Sequence, residues 1–457
     1  MHLYKFRFPI GILIIVVIIS GCATVRQVND RTLIDIYAEQ RKQPKKYPVV
    51  FIPGIMGSLL KDQKTNKLVW GKVSMGVPQL IALPINAPFQ AVNLITGNDN
   101  LVPAGIVNKY SLLPGLVEIE IYDNARKIAM EAGGFTKDKD AFAFSYDWRK
   151  DLVDDAKQLG ELIDRIKQQS NDPNLKVNIV CHSQGGLIAR YYAKYGTADV
   201  LNEPSIPEPT YAGAKNINKI IMLGTPNAGS MESFHRIDQG LWLPFIGKIT
   251  PETTFTMLSL YALLPYQNDR VFIDKEGTSL ELNLYDPGNW EKYGWSIFNP
   301  VLQKHIYQKY LNRQRKHQGK LKYAEYLVNQ KEFLGKALYR ANRFHQALWQ
   351  GDPNLEKQQV NYILFGSDCI PTLQRAIIKP SNTGYRTLYR DADRNMMKLL
   401  YGLGDGTVTK ESLLGINTTL PTRMPTAYAI FISEKHGDLT QNPTFIDNIL
   451  HVLLDQN

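Results

Sequence analysis

The sequence predicts an α/β fold, in which helices cover both faces of a mostly parallel sheet and a helical cap is inserted. Short apolar, β-branched runs typical of buried strands recur at residues 48–53, 141–146, 177–181, 219–224, 360–365 and 427–433. Segments with helical patterns lie between several of these runs, and this alternation is typical of a parallel sheet. The alternation fails between Gly229 and Gln359, which predicts an insertion over the strand ends.

Turn and helix signals place the elements along the chain. The first strand stops at Pro53-Gly54, a turn dipeptide. A helix is predicted over 121–132, where Gly133-Gly134 stops it, and an amphipathic helix over 151–169, which ends near Pro173. Residues 301–350 are rich in Lys, Arg, Gln and Tyr and form the helical part of the insertion.

Composition is that of an ordinary globular protein with a basic charge. The chain has 457 residues, of which 44% are hydrophobic and 21% charged. That length permits two or three domains, or one large domain with an insertion. The net charge of +10 favours anionic partners, which include nucleic acid, acidic polysaccharide and anionic lipid surfaces. The net charge alone does not determine which of these partners the protein binds.

The N-terminus predicts export. Lys5 and Arg7 precede an uncharged apolar run at residues 9–19, and small residues lead up to Cys22, as in a secretory signal. The sequence ISGC resembles the lipobox of bacterial lipoproteins, which implies cleavage before Cys22 and lipidation of that cysteine. A plain signal peptide or an uncleaved anchor is the alternative. We therefore expect a bacterial envelope protein, in the outer membrane if the cell is Gram-negative, and no nucleic-acid partner.

The expected organisation follows from these signals. Residues 1–21 form the lipoprotein signal and residues 22–46 a polar tether. The core occupies 47–230 and 356–457, and the cap insertion occupies 231–355. The three cysteines, Cys22, Cys181 and Cys369, match no metal motif, so we expect no metal or cofactor and read the last two as small buried hydrophobes.

Ser183 is the candidate nucleophile. It lies in VNIVCHSQGG (177–186), where a buried strand meets a helix at a serine flanked by small residues. A sharp strand-to-helix turn exposes such a serine and tolerates only small residues two positions away, a requirement that Gly185 and Cys181 meet. The backbone N–H of Gln184, at the helix start, can stabilise an oxyanion. The alternative is an ordinary turn after a buried strand.

Three further segments strengthen this interpretation. The loop PGIMGS (53–58) can present a second backbone N–H to the oxyanion, GDGTV (404–408) holds Asp405 among glycines, and KHGDL (435–439) places His436 after the last strand. Alone, each is compatible with a turn or a surface residue. The order Ser, Asp, His is the one that α/β-hydrolases use, so the sequence predicts a catalytic triad of Ser183, Asp405 and His436.

Five motifs also carry a family resemblance: PVVFIPGIMGS (48–58), YDWR (146–149), HSQGG (182–186), LGTPNAGS (223–230) and GDGTV (404–408), with His436 after them. Together they resemble the lecithin:cholesterol acyltransferase family, which includes phospholipid:diacylglycerol acyltransferases. The resemblance covers most of the chain from Tyr47 and is faint over 231–355. It implies an α/β-hydrolase fold, an acyl-enzyme on Ser183, an oxyanion hole from the N–H groups of Ile55 and Gln184, and lipid acyl esters as substrates.

Some residues depart from the family pattern or admit a plainer interpretation. Cys181 replaces the first glycine of the nucleophile motif, and residues 73–108 lack the cysteine pair of the animal relatives. We interpret YDWR as structural, because an ion pair beside a strand end commonly holds loops. His182 is interpreted as a packing residue.

Several functions remain open at this point. Hydrolysis and acyl transfer share the acyl-enzyme, so the sequence does not separate them. The alternatives are a carboxylesterase for non-lipid esters and a lipid-binding envelope lipoprotein with a vestigial triad.

Two segments predict contact with a membrane surface. Apolar residues 80–89 would enter the interface, while the region 301–350 would present a solvated basic face to anionic headgroups. That region has two acidic residues, Glu325 and Glu332, against the basic residues Lys304, Lys309, Arg313, Arg315, Lys316, Lys320, Lys322, Lys331, Lys336, Arg340 and Arg343.

Overall fold

A computed structural model describes residues 30–45, 47–71, 100–107, 109–113, 117–120, 127, 130–243, 247–266, 270–317, 323–382, 384–391, 393–416 and 424–455. The signal region and Cys22 lie outside the described residues. So do residues 80–89 and most of the helix predicted over 121–132.

The described strands are β1 Val49–Ile52, β2 Ser58–Asp62, β3 Leu68–Trp70, β4 Leu101–Ile106, β5 Lys109–Leu113, β6 Val117–Glu120, β7 Ala141–Ala143, β8 Val177–His182, β9 Ile217–Leu223, β10 Leu241–Leu243, β11 Gly247–Ile249, β12 Phe272–Ile273, β13 Asn361–Gly366, β14 Ile370–Leu373, β15 Ala376–Ser381, β16 Gly384–Leu388, β17 Tyr401–Gly404 and β18 Thr426–Phe431.

The described α-helices are α1 Asp30–Ile36, α2 Leu152–Gln169, α3 Gln184–Tyr195, α4 Met231–Gln239, α5 Pro251–Thr254, α6 Leu258–Ala262, α7 Pro287–Tyr293, α8 Pro300–His317, α9 Tyr323–Trp349, α10 Pro353–Gln359, α11 Arg394–Leu400, α12 Lys410–Leu414 and α13 Pro443–Leu454.

Six parallel strands form the central sheet in the order β18-β13-β9-β8-β1-β7. In its middle, Ile179 pairs with Val50 on one side and Ile220 on the other. All six residues of β8 are buried, as expected for a strand covered on both faces. The predicted α/β fold is therefore confirmed. Strand β7 covers only the first half of the run predicted over 141–146, and beyond it the Tyr146 N–H donates to the side-chain oxygen of Ser58.

Helices cover both faces of this sheet. Helix α2 lies on one face and begins at Asp151, whose side chain accepts a hydrogen bond from the Val153 N–H. Its buried residues recur at three- and four-residue spacing and join those of α3 in one core. Helix α13 covers the other face together with Leu33 and Tyr37, which belong to the segment expected to be a polar tether and are instead buried against this face. The boundaries predicted for α2 from its polar and apolar pattern are confirmed.

The predicted helical region at 301–350 is confirmed as α8 and α9. The apolar stripe of α9 packs on the core, where Phe344 stacks on Tyr191 of α3 at 5.5 Å between ring centroids. The prediction that the basic residues of this region form a solvated face was wrong for two of them. Arg340 pairs with Asp151 and Asp199, and the buried Arg343 donates to the Glu203 carbonyl at 2.6 Å, so both cations attach α9 to the core.

The two described cysteines are free and differ in their surroundings. Cys181 is buried in β8, as expected. The expectation of burial was wrong for Cys369, which is exposed in the loop between β13 and β14.

Within the described part of the chain, no helix has both the length and the apolarity needed to cross a membrane.

A buried carboxyl group in α2 leads to a stability prediction. Asp155 is fully buried, and within the described residues neither of its carboxylate oxygens has a hydrogen-bond partner. Burial, and then the nearby charges of Asp147 and Asp151, raise the pKa of Asp155 well above its ordinary value. The native state therefore binds this proton more tightly than the unfolded chain does.

Below the unfolded pKa of about 3.9, Asp155 is protonated in both states and its contribution to stability is fully present. As the pH rises from there toward the raised pKa of the folded protein, the free energy of unfolding falls. Asp155→Asn should therefore stabilise the protein at pH 7 by on the order of 1 kcal/mol or more, and by little at pH 4. Thermal unfolding at both pH values measures this, with the exposed Asp154→Asn as the control. An equal effect of Asp155→Asn at both pH values would contradict this account.

Candidate active site

Ser183 lies on a sharp turn between β8 and α3. Its backbone has φ +52° and ψ −123°, a conformation that non-glycine residues rarely adopt. The Ser183 N–H donates to the Leu223 carbonyl at 2.7 Å, which fixes the turn against β9. The strand-to-helix turn predicted around Ser183 is therefore present.

The small residues after Ser183 are required by close contacts. A Cβ on Gly185 would lie 2.8 Å from the Pro53 carbonyl oxygen, and one on Gly186 would lie 2.0 Å from Thr225 Oγ1. Cys181 fits because its thiol is buried and donates to the Ile221 carbonyl at 3.3 Å. The departure from glycine at position 181 therefore leaves the turn intact.

The structure brings the three predicted side chains into one chain of hydrogen bonds. His436 Nε2 lies 2.9 Å from Ser183 Oγ, and His436 Nδ1 lies 2.8 Å from Asp405 Oδ2. All three residues come from the carboxyl side of strands, on loops after β8, β17 and β18. An acidic side chain, an imidazole and a hydroxyl in this order can activate the hydroxyl as a nucleophile.

The surroundings of Asp405 keep it ionised. Burial would raise its pKa, but the charge and hydrogen bond of His436 and the backbone N–H groups of Val408 and Thr407 outweigh burial and lower it. Val408 and Thr407 donate to Oδ1 at 2.7 and 2.9 Å. Asp368, a second acid shortly after β13, instead pairs with Lys410 at 2.9 Å.

Gly224 supports the site and was not singled out from the sequence. It follows β9 at φ +53°, and a Cβ there would lie 2.9 Å from both Asp405 Oδ2 and His436 Nδ1. A side chain at this position would therefore push the acid and the imidazole apart. The signal available in the sequence was a glycine directly after a buried strand, in LGTPNAGS.

The loop that carries Ile55 lies against the nucleophile. A Cβ on Gly54 would lie 2.9 Å from Ser183 Cβ, and the Gly57 N–H closes a turn on the Gly54 carbonyl at 3.0 Å. Ile55 lies inside this turn, and Gln184 is the first residue of α3. Both residues predicted for the oxyanion hole thus lie in segments next to Ser183.

The YDWR segment holds that loop in place. Tyr146 Oη donates to the Pro53 carbonyl at 2.8 Å, and Trp148 Nε1 donates to the Ser58 carbonyl at 3.2 Å. Arg149 is buried and paired with Asp147. The bonds of Tyr146 and Trp148 to the loop 53–58 support the structural interpretation of the motif, and the Trp148 carbonyl also accepts from Gln184 Nε2 at 3.4 Å.

His182 contacts the site more directly than a packing residue would. Its ring is buried 4.7 Å from the His436 ring, and its Nε2 lies 2.9 Å from the His436 carbonyl oxygen. This contact arises because the loop that carries His436, 254 positions later in the chain, lies over the end of β8.

A cleft of about 770 Å³ reaches the loop of Asp405 at Gly406. Its walls combine the aromatic Tyr385 and Tyr389 with the charged Glu232 and Arg386. Among the described residues, no group of three or more His, Cys, Asp or Glu side chains is placed to hold a metal ion.

Comparison with known proteins identifies the family. The family model described as lecithin:cholesterol acyltransferase matches residues 117–417, which is more than half of the chain. The chain belongs to the lecithin:cholesterol acyltransferase family. Membership, with the parallel sheet and the turn at Ser183, identifies the fold as that of the α/β-hydrolases. Membership also supports an acyl hydrolase or acyltransferase activity.

More distant similarities were found as well. An uncharacterized protein of Saccharomyces cerevisiae is 25% identical over 252 residues, which are 54% of this chain and 33% of the yeast protein. The chain thus spans about a third of that relative. A chain of the Tle4–Tli4 complex aligns at 14% identity and TM-score 0.49, over 89% of this chain and 98% of that one. The mature lipase BlEst2 of Bacillus licheniformis aligns at 12% identity and TM-score 0.36, over 90% and 93%.

Proposed function

We propose that this protein is a membrane-anchored serine acyl hydrolase or O-acyltransferase that acts on fatty acyl esters of lipids. The observation that carries the proposal is His436, which lies within hydrogen-bond distance of Ser183 Oγ through Nε2 and of Asp405 through Nδ1. The family supports acyl chemistry, and the lecithin and cholesterol in its name support lipids as the substrate class.

The proposed reaction begins with attack by Ser183. Its Oγ bonds to the ester carbonyl carbon while its proton passes to His436 Nε2, and Asp405 stabilises the imidazolium through Nδ1. The N–H groups of Ile55 and Gln184 stabilise the negative carbonyl oxygen. The intermediate expels the alcohol, which takes the proton back from His436, and leaves an acyl group on Ser183.

The second half of the reaction decides between hydrolysis and transfer. Water or another alcohol gives its proton to His436 and attacks the acyl carbon. The intermediate then expels Ser183 Oγ, which takes the proton back from His436, and yields a fatty acid or a new ester. Incubation with labelled phospholipid, with and without an alcohol acceptor, identifies the acyl position and the acceptor together. Turnover of soluble short-chain esters but of no phospholipid would favour the carboxylesterase alternative.

A catalytically vestigial lipid-binding protein is the alternative from another functional class. A fluorophosphonate reacts only with an activated serine, so labelling of the wild type tests this alternative before any substrate is known. We expect Ser183 to be labelled. A folded protein that stays unlabelled would support the hypothesis of a lipid-binding protein with a vestigial triad.

Attachment to the membrane is proposed to use lipidated Cys22 and the basic surface of the cap. Cys22, Leu83 and Phe89 lie outside the described residues. Helix α8 contains Arg313, Arg315 and Lys316, and Lys304 near its start is exposed. Basic residues near an anionic surface contribute about 1 kcal/mol each.

The membrane prediction separates charge from apolar insertion. In protein lacking the Cys22 anchor, binding to anionic vesicles should weaken as salt rises, and replacing Arg313, Arg315 and Lys316 with Gln should flatten that dependence. At low salt the triple variant should bind about 100-fold more weakly. Vesicle sedimentation measures both effects, and equal low-salt binding by variant and wild type would dismiss the electrostatic contribution.

Variants of Leu83 and Phe89 test the apolar contribution to membrane contact. Replacing both with Ser should lower activity on vesicles but leave activity on a soluble short-chain ester unchanged. Equal turnover of vesicles by this variant and the wild type would dismiss the apolar contribution.

A further inference from the structure

His182 connects the nucleophile strand to the loop that carries His436. It is the last residue of β8, directly before Ser183, and it is buried. Its Nε2 lies 2.9 Å from the carbonyl oxygen of His436, and the two rings are tilted at 4.7 Å between centroids.

The acceptor determines the protonation of His182. A carbonyl oxygen only accepts hydrogen bonds, so Nε2 must carry the proton. Burial and the nearby His436 lower the pKa of His182 to about 3, despite the carbonyl that accepts from it, so the ring is neutral at physiological pH. A neutral imidazole has one N–H group, and Nδ1 is therefore an acceptor.

Nδ1 faces the loop that carries Ile55. A Cβ on Gly54 would lie only 3.1 Å from His182 Nδ1, so the ring and the Gly54 backbone are in close contact. One side of the His182 ring thus contacts the proposed oxyanion loop and the other side contacts the His436 backbone.

The main chain of His436 is held at both of its polar atoms. Its N–H donates to the Asp405 carbonyl at 2.8 Å, and its carbonyl accepts from His182 Nε2 at 2.9 Å. Since the imidazole is attached to this segment of backbone, the two bonds limit where Nε2 can lie relative to Ser183 Oγ. A displacement of about 1 Å at such a position can cost about 100-fold in rate.

We propose that His182 is a positioning residue, which fixes the His436 backbone and the oxyanion loop relative to each other through its neutral ring. The proposal rests on the proposed function of Ser183 and His436. It differs from simple packing, because a residue of similar size without a ring N–H would fill the space but release the His436 carbonyl.

The test compares His182→Phe, which keeps an aromatic ring, with His182→Gln, whose amide can still donate. His345→Phe is the matched control, because His345 is also fully buried, stacks on Tyr266 at 4.9 Å, and has its pKa lowered to about 3 mainly by burial. His345 lies in α9 and has no place in the proposed mechanism.

We expect His182→Phe to lower kcat on a soluble short-chain ester by about 10- to 100-fold, with KM within about twofold and fluorophosphonate labelling slowed by the same factor. His182→Gln should recover to within about threefold of the wild type, and His345→Phe should keep the wild-type kcat. Wild-type kcat in His182→Phe, or equal losses in the Phe and Gln variants, would overturn the proposal.

Failure of the underlying function gives a different result. If the wild type neither turns over the ester nor reacts with the fluorophosphonate, the proposed triad is wrong, and the positioning role proposed for His182 is wrong as well. If the wild type is active and labelled, the comparison of the two His182 variants decides the positioning role alone.

Discussion

Replacing Ser183 with alanine is expected to lower esterase activity on the order of 10⁶-fold, to background, without loss of folding. The reason is that Ser183 Oγ is the one atom that would form the acyl-enzyme, and it lies 2.9 Å from His436 Nε2. The side chain is small, so its removal changes little of the packing around the turn. Hydrolysis of a short-chain ester and circular dichroism measure the two effects.

A second buried serine serves as the control for this variant. Ser233 in α4 is buried, donates from Oγ to the Leu260 carbonyl at 2.6 Å, and has no role in the proposed mechanism. Ser233→Ala should keep its activity. Retention of most activity by a correctly folded Ser183→Ala variant would exclude the proposed nucleophile.

Asp405→Asn should lower turnover by roughly 10⁴-fold, as removal of the negative charge does in comparable triads. An amide can donate to His436 Nδ1 as well as accept from it, so the imidazole is no longer held in the tautomer that accepts the serine proton. Oδ1 also accepts from Thr407 and Val408, which favours a retained loop conformation.

Asp368→Asn is the matched control for Asp405. Asp368 forms a half-exposed ion pair with Lys410, and such pairs contribute at most about 1 kcal/mol to stability. We expect near wild-type kcat for this variant. If Asp368→Asn inactivates the protein and Asp405→Asn does not, the assignment of the acid is wrong.

The sheet and the triad could be predicted because their signals are local. Buried strands such as β8 and β9 are short apolar runs whose ends are marked by small residues or turns. The small residues around Ser183 are neighbours in the sequence, so a motif records them directly, although the residues that require them, such as Pro53 and Thr225, lie elsewhere in the chain. Ser183 and His436 follow β8 and β18 of the central sheet, whose parallel strands bring their carboxyl ends to the same edge. Asp405 follows β17, which pairs antiparallel with β14 outside that sheet, so its signal was the GDGTV motif and not the sheet order.

Contacts between distant segments could not be predicted in the same way. The role of His182 depends on a loop that is 254 positions away in the chain, and nothing adjacent to His182 signals it. The sequence around Arg340 and Arg343 predicts a basic, solvated helix. The partners that attach both residues to the core lie about 140 to 190 positions earlier, so no local pattern indicates them. Gly224 is one of many glycines until Asp405 and His436 are placed beside it.

Direct detection of an acyl-enzyme tests the central claim most closely. The purified protein is mixed with an activated short-chain ester, quenched in acid within the first turnover, digested and analysed by mass spectrometry, with Ser183→Ala in parallel. The account predicts one acyl group, on the peptide that contains Ser183, and none in the variant. Turnover by the wild type with the acyl group on another residue, or with no adduct under conditions that trap acyl-serines, would contradict it.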